Sequence, residues 1–493
     1  MSYLRGPDRS QLQLLPPAVD EYVAANAPVR FIDAYVEGLD FATLGFTHAQ
    51  AKDTGRPPYH PADLLKLYLY GYLQRVRSSR RLEAEAARNL EVVWLLRGLR
   101  PDFKTIADFR RDNRAAFKPL FKHFNLLCRS LDLFGAELVA IDGSKFKAVA
   151  NTRRCHSQEQ LAELLGKIEA RIEEYLSELD GQDAQAEGVP AAPGREELAE
   201  KIAQLQRRKG RYDALLAELQ ASGGEKIAVG DSTSRKMKGA HGEHFMGYNV
   251  QAAADARHHL LASEDVVQAA NDRGQLGPMT VAAKAELGVD QLQATADAGY
   301  HESDQLEACE AAGVETFVPE PRGSSGRGPA GRPVFPKEQF RYDAEADAYH
   351  CPGGAVLPRA SVNQDHGKTR LLYYHRAACR QCPLRSQCTS AEWRVVARRV
   401  NEAVVERAAA RVAAQPQIVA RRKTIIEHIF GTLRLWGHDR FLMRGLEKVR
   451  AEFSLSALSY PLDGLWACGN LRRVLNLRSI EQLLAALGQP ATA

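Results

Sequence analysis

Along the first quarter of the chain apolar residues recur at three- and four-residue spacings, and the pattern predicts three helices. "PADLLKLYLYGYLQRV" (61–76) and "RRLEAEAARNLEVVWLLRG" (80–98) supply the first two. A long third one opens at "TIAD" (105–108), where Thr105 and Asp108 resemble a capping box with Asp in place of Glu. Phe109, Phe117, Leu120, Phe121 and Phe124 form its apolar face. Between 157 and 221 two further helical stretches flank "DGQDAQAEGVPAAPG", whose Gly and Pro stop a helix. Leu161, Leu165, Ile168, Ile172, Tyr175 and Leu179 alternate four-three spacings, and Leu198, Ile202, Leu205, Tyr212, Leu216 and Leu219 nearly do so. They predict an antiparallel helical hairpin with a coiled-coil seam. It reads as an insertion, because strand patterns lie on both sides of it.

Those patterns alternate with helices. "ELVAIDGSKFKAV" (137–149), "GYNVQAAAD", "HHLLASEDVV", "QLQATADAGY" and "ETFVP" read as strands; residues 275–287 and "ESDQLEACEAAG" read as helices. The alternation predicts a mixed α/β sheet. Residues 321–337 are loop or disorder by composition, and no internal repeat of useful period is visible.

Composition narrows the class. At 493 residues and 45% apolar content the chain is long enough for two to four units with real cores. No run approaches the ~18 apolar residues of a membrane span, and the N-terminus lacks a signal-peptide segment, so a cytoplasmic location is expected. The net charge of +5 is mild, so its placement carries more than its size. Arg111, Arg114, Lys118 and Lys122, spaced three, four and four, predict a basic stripe on the third helix, fit for DNA phosphates or merely solvated. Residues 421–450 hold eight Lys/Arg against three Asp/Glu.

Of eight cysteines, Cys351, Cys379, Cys382 and Cys388 form a group with C-x2-C-x5-C at its end. The spacing is close to that of a structural zinc site, and reduced, unliganded thiols are the alternative. Cys128, Cys155, Cys309 and Cys468 read as isolated thiols. Asp142 closes an apolar run before a glycine, either as an Asp-Gly turn or as a working carboxylate, and Asp297 closes a second, apolar-leaning run before small residues. Glu427 lies in a helical stretch with Lys423 four before and Arg434 seven after, hence on its face. Converging carboxylates repel unless a hard cation joins them, and Mg²⁺ or Mn²⁺ suits oxygen ligands. His428 points to another helix face, and Trp436 reads as core.

The ordered set "PDFKTIADFRRDN" (101–113), "AIDGSKFKAVAN" (140–151), "GYNVQAAAD" (247–255), "ATADAGYHES" (294–303), "YHCPGG" with "CRQCPLRSQC" (349–388) and "RRKTIIEHIFGTLRLWG" (421–437) resembles the DDE transposases of bacterial insertion sequences, most of all the eleven-eighty-two family. The resemblance implies an RNase H-like catalytic core in which Asp142, Asp297 and Glu427 hold two Mg²⁺ (or Mn²⁺) ions. It implies an N-terminal helical domain for the element's terminal inverted repeats, with target DNA and a second copy in a synaptic homodimer as partners. Lys423 stands where an arginine is usual, Arg434 takes the basic position after the glutamate, and Ala420 replaces a tyrosine. On this reading 1–133 is the DNA-binding domain, and 134–320 with 395–475 the core. The hairpin at 157–221 and a loop plus cysteine-rich segment at 321–394 are insertions, and 476–493 is a tail. The expected activity is metal-dependent strand cleavage and strand transfer; the alternatives are an inactive DNA-binding derivative and a structure-specific nuclease. One departure is "PLDGLWACG" (461–469), whose Pro461, Gly464 and Gly469 are expected to break the terminal helix.

Overall fold

The computed structural model describes residues 18–50, 57–185, 195–239, 242–321, 335–365 and 368–467. Six helices open it: α1 (Pro28–Glu37), α2 (Pro61–Leu73), α3 (Ser79–Arg88), α4 (Leu90–Leu95), α5 (Phe103–Asp112) and α6 (Phe117–Ser130). All thirteen residues of α2 are buried, Lys66 included. A lone buried ammonium would be costly, and Lys66 is paired with Asp33 at 2.6 Å and with Glu37.

Two expected helices are each split. Asn89, in extended conformation, separates α3 from α4 and caps the latter by accepting from Glu91 N at 3.0 Å. The long third helix is broken at 113–116. Pro119 has no N–H and its ring would strike the carbonyl four residues back, so it is tolerated only in the first turn of a new helix, α6. The cap of α5 is Asp102, which accepts from Lys104 N and Thr105 N at 2.9 Å each, rather than a box built on Thr105.

The central sheet begins with β1 (Leu138–Lys147). Then come β2 (Cys155–His156), α7 (Gln158–Gln185), α8 (Arg195–Ser222) and β3 (Ile227–Ala228). The helices α7 and α8 close on Leu161, Leu165, Ile168, Tyr212, Leu215 and Leu219, and β2–β3 ties their base. The sheet continues with β4 (Arg235–Lys238), β5 (His244–Asp255) and β6 (Leu261–Val267), then α9 (Leu276–Leu287), β7 (Leu292–Thr295), α10 (Ser303–Ala311) and β8 (Val314–Phe317). Its order is β4-β5-β1-β7-β8, with β6 also on β5. β1 runs antiparallel to β5 and parallel to β7, and β7 runs parallel to β8, so the sheet is mixed as the sequence predicts.

A second, five-stranded sheet is built from β9 (Arg341–Asp343), β10 (Ala348–His350), β11 (Val356–Asp365), β12 (Lys368–Tyr373) and, after the short helices α11 (Arg376–Arg380) and α12 (Arg385–Cys388), β13 (Val396–Arg399). Phe340, Tyr349, Leu357, Tyr373 and Val396 are its small core. Most of the loop expected at 321–337 lies outside the described residues.

The described residues end in α13 (Glu402–Ala414), α14 (Pro416–Arg422), a π-helical turn (Lys423–Glu427), α15 (His428–Leu435) and α16 (Leu446–Ala467). α16 packs on α2, α6 and β6 and so joins the N-terminal helices to the sheet. It is not broken at Pro461: the helix passes through Pro461 and Gly464 to Ala467. A proline removes one intrahelical bond, and the buried run from Ala451 to Ser459 holds the preceding turns in place. Gly469 and the tail at 476–493 lie outside the described residues.

At the α15–α16 junction His438 is 1% exposed, and neither ring nitrogen has a hydrogen-bond partner. Burial, and then the charges of Arg77 and Arg75, push its pKa down to about 3. A base with a lowered folded pKa contributes stability that is present above its unfolded value near 6.5 and is lost as pH falls towards 3. Denaturant midpoints measured from pH 7 to pH 5 are expected to fall less steeply for His438→Phe than for the wild type.

Candidate metal and nucleic-acid site

The four apolar residues that open β1, Leu138 to Ile141, are buried, and Asp142 follows them in mid-strand. There is no Asp-Gly turn, because Gly143 pairs with Gln251 of β5 and the strand runs on to Lys147. Ala140 is the partner of Thr295 on parallel β7, so Asp142 and Asp297 each lie two residues beyond a matched pair. With a side-chain period of two, both acids start from the same face of the sheet. Asp297 also opens the tight turn Ala298–Tyr300, its Oδ1 accepting from Gly299 N at 2.8 Å.

Glu427 arrives on the turn between α14 and α15. In a π turn the residue five back, rather than four back, comes over the same face. Arg422 therefore reaches Glu427 Oε1 at 2.8 Å with one nitrogen and Asp142 Oδ2 at 3.1 Å with another. The α-helical spacing assigned that place to Lys423, which instead stands exposed. The wide turn also buries the consecutive Ile425 and Ile426. Arg434 lies as the spacing predicts, on the acid face, donating to Ser144 Oγ at 2.5 Å.

Burial is the largest influence on Asp142 and pushes its pKa up to about 6. Arg422 and the Gly143 N–H oppose this, while the charges of Asp297 and Asp272 reinforce it. The donor set is all oxygen, with neither thiolate nor imidazole, and in kind it fits a hard divalent ion. Among the described residues no group of three or more His, Cys, Asp or Glu is placed to hold a metal ion, the four grouped cysteines included, and the Arg422 guanidinium lies between Asp142 and Glu427.

Asp272, Gln251, Tyr300 and Arg422 escape a sequence reading. Asp272 sits in "AANDRGQL", which looks like an ordinary turn before α9, and nothing in the run around Arg422 announces a π turn. His428 stands away from the acids beside His259, with ring centroids 5.0 Å apart, and Trp436 is 7% exposed as a core residue.

The expected basic stripe does not form as one row, since α5 and α6 are separate helices. Lys118 pairs with Glu264 at 2.7 Å and Lys122 with Glu286 at 2.7 Å, both acids of the sheet region. Arg111 is exposed but paired with Asp108 at 2.6 Å and Asp112 at 2.7 Å, and Arg114 is exposed.

Cys351, Cys379, Cys382 and Cys388 are half-buried free thiols lining one pocket of about 220 Å³ between β10, β11, α11 and α12. Burial, and then the neighbouring sulfurs against Arg394, raise the Cys388 thiol. Sγ of Cys382 and of Cys351 come within 3.2 and 3.7 Å of the place a Cβ on Gly353 would take. Cys128 and Cys309 are buried, Cys155 is half-buried, and Cys468 lies outside the described residues.

No helix among the described residues is long and apolar enough to cross a membrane. No curated protein matches the chain. The solved cryo-EM structure of a piggyBac transposase synaptic complex with hairpin DNA is similar at 8% identity over 94% of this chain and 82% of that one, with a TM-score of 0.31, too low to carry an argument. Residues 17–112 match a family model described as a transposase domain (DUF772), and residues 350–466, with Glu427 inside them, match one described as a transposase DDE domain. With one match at the helical end and the other at the end that carries Glu427, the two together support a DDE transposase.

Proposed function

We propose that this transposase binds the terminal inverted repeats of an insertion sequence, cuts at their ends and joins the freed 3′ hydroxyls to target DNA. On this reading the sheet is an RNase H-like core, residues 1–133 bind the repeats, and the family is the eleven-eighty-two group. The observation that carries it is the matched register of Asp142 and Asp297, with Glu427 tied to Asp142 through Arg422. Asp142, Asp297 and Glu427 are the residues that hold Mg²⁺ or Mn²⁺. Divalent ions held there would activate the attacking oxygen and stabilise the departing one. Arg422, now paired with Asp142 and Glu427, would be released if ions took its place, and its guanidinium would suit a DNA phosphate bidentately. Arg434 and Lys423 are further cations for DNA phosphates near the acids, and Arg111 and Arg114 present charge on the helical domain.

The test is incubation of the protein with terminal-repeat duplex, a circular target and Mg²⁺. Joined products are expected. Cutting without joining would make it a nuclease, and binding without cutting would make it an inactive derivative.

The C-x2-C-x5-C spacing and the shared pocket carry the proposal of a structural Zn²⁺ held by Cys351, Cys379, Cys382 and Cys388, which do not stand as a metal-holding group here and would have to close on the ion, tying a sheet that has only a small core. About one Zn²⁺ per chain is expected by metal analysis, and chelation is expected to expose residues 340–390 to protease while the remainder stays folded. Zinc-free protein whose four thiols alkylate freely in the folded state would contradict this.

A further inference from the structure

The face of β1 opposite Asp142 carries a polar chain that runs to the turn opened by Asp297. Asp142, Ser144 and Phe146 face α15 and the π turn, where they meet Arg422, Arg434 and Phe430. Gly143 and Lys145 face the other way, towards Asp272. Asp272 Oδ1 accepts from Asn249 Nδ2 and from Gln251 Nε2, both at 2.8 Å, and its Oδ2 lies 3.7 Å from Lys145 Nζ. Gln251 Oε1 in turn accepts from the Tyr300 hydroxyl at 2.6 Å. Asn249, Gln251 and Tyr300 are each fully buried, and Asn249 Oδ1 is left without a partner.

The direction of this chain is forced. An ionised carboxylate only accepts, so both amides must present their NH₂ ends to Asp272. Gln251 then has only its carbonyl oxygen to offer, and Tyr300 must donate to it. Tyr300 closes the turn that Asp297 opens, its N–H meeting Asp297 O at 3.2 Å. A glycine is needed next to Asp142 for the chain to pass, since a Cβ on Gly143 would strike both Gln251 Nε2 and Asp272 Oδ1. At the far end Asp272 Oδ2 and Asp297 Oδ1 lie within 4.0 and 2.9 Å of the place a Cβ on Gly299 would take.

We propose that Asp272 is a positioning residue: through Gln251 and Tyr300 it fixes the Asp297 turn, and so the angle at which the Asp297 carboxylate meets metal. The proposal rests on the reading of Asp142, Asp297 and Glu427 as metal ligands. Outer residues that orient ligands commonly account for about ten- to a hundredfold in metal affinity.

The experiment is a Mn²⁺ titration of the full chain followed by electron paramagnetic resonance, with no DNA present. Asp272→Ala and Tyr300→Phe are each expected to weaken binding by about ten- to a hundredfold, and the double variant to do no worse than Asp272→Ala. Asp272→Asn keeps an acceptor for both amides and is expected to stay near wild type. Should Asp272→Asn bind as poorly as Asp272→Ala, Asp272 is itself a ligand and the positioning role is wrong. If Asp272→Ala does not fold, Tyr300→Phe decides, because it removes only a hydroxyl. Wild-type affinity in Tyr300→Phe, with affinity lost in Asp297→Asn, overturns the proposal and leaves the site reading standing. Wild-type affinity in Asp297→Asn overturns the site reading instead.

Discussion

Asp142→Asn, Asp297→Asn and Glu427→Gln are each expected to abolish strand cleavage and strand joining together, a loss of at least about a thousandfold, with the fold and DNA binding retained. Each change keeps the shape of the side chain and removes one charge from an all-oxygen donor set. On the proposed function cutting and joining would both be in-line displacements at one phosphodiester geometry, so the same carboxylates would serve both and neither reaction would survive alone. The double variants should be scarcely slower than the singles, because a site that acts as a unit is lost with its first member. Ca²⁺, with looser coordination, should permit binding with little cutting, whereas Mn²⁺ should support both steps. The check is a cleavage and joining assay on terminal-repeat DNA with each metal. A single variant that cuts but does not join would show that the two steps use different groups.

Glu452→Ala is expected to cost the protein about 3–5 kcal/mol, the largest stability loss of any single change considered, because it leaves buried positive charge unpaired. Glu452 is fully buried on α16, accepts from Leu442 N and Met443 N at 3.0 and 2.9 Å, and pairs with Arg77 at 3.3 Å. Burial raises its pKa, and the charges of Arg110 and Arg77 hold it down. Arg77 follows α2, Arg110 lies on α5, and the two N–H donors belong to the loop after α15. One carboxylate thus fastens the N-terminal helices to the segment that carries Glu427. Glu452→Gln keeps an acceptor for the loop and is expected to lose less. Urea denaturation followed by circular dichroism measures both, and a loss below about 1 kcal/mol for Glu452→Ala would show that water or another acid replaces it.

The features legible in the sequence were those set by local periodicity. The alternation of strands with helices, the helical hairpin and the apolar runs that deliver Asp142 and Asp297 all follow from side-chain spacing. What escaped depends on chemistry that spacing does not carry. Pro119 splits a helix whose apolar face continues on both sides of the break. One π turn moves the cation over Glu427 from Lys423 to Arg422, because the counting of four and seven assumes a regular helix. Lys118 and Lys122 look like a DNA-facing row until Glu264 and Glu286, more than a hundred residues away, come beside them. Asp272 comes from a loop with no periodicity, and only the register of β1 on β5 places Gly143 and Gln251 around it.

The most direct test of the central claim is a crystal structure of the protein soaked in Mn²⁺, with an anomalous difference map at the manganese edge. Peaks bounded by Asp142, Asp297 and Glu427 are expected, with Arg422 turned away from both Asp142 and Glu427. A map without manganese at these acids under conditions that support cleavage, with Arg422 still bridging Asp142 and Glu427, would contradict the claim.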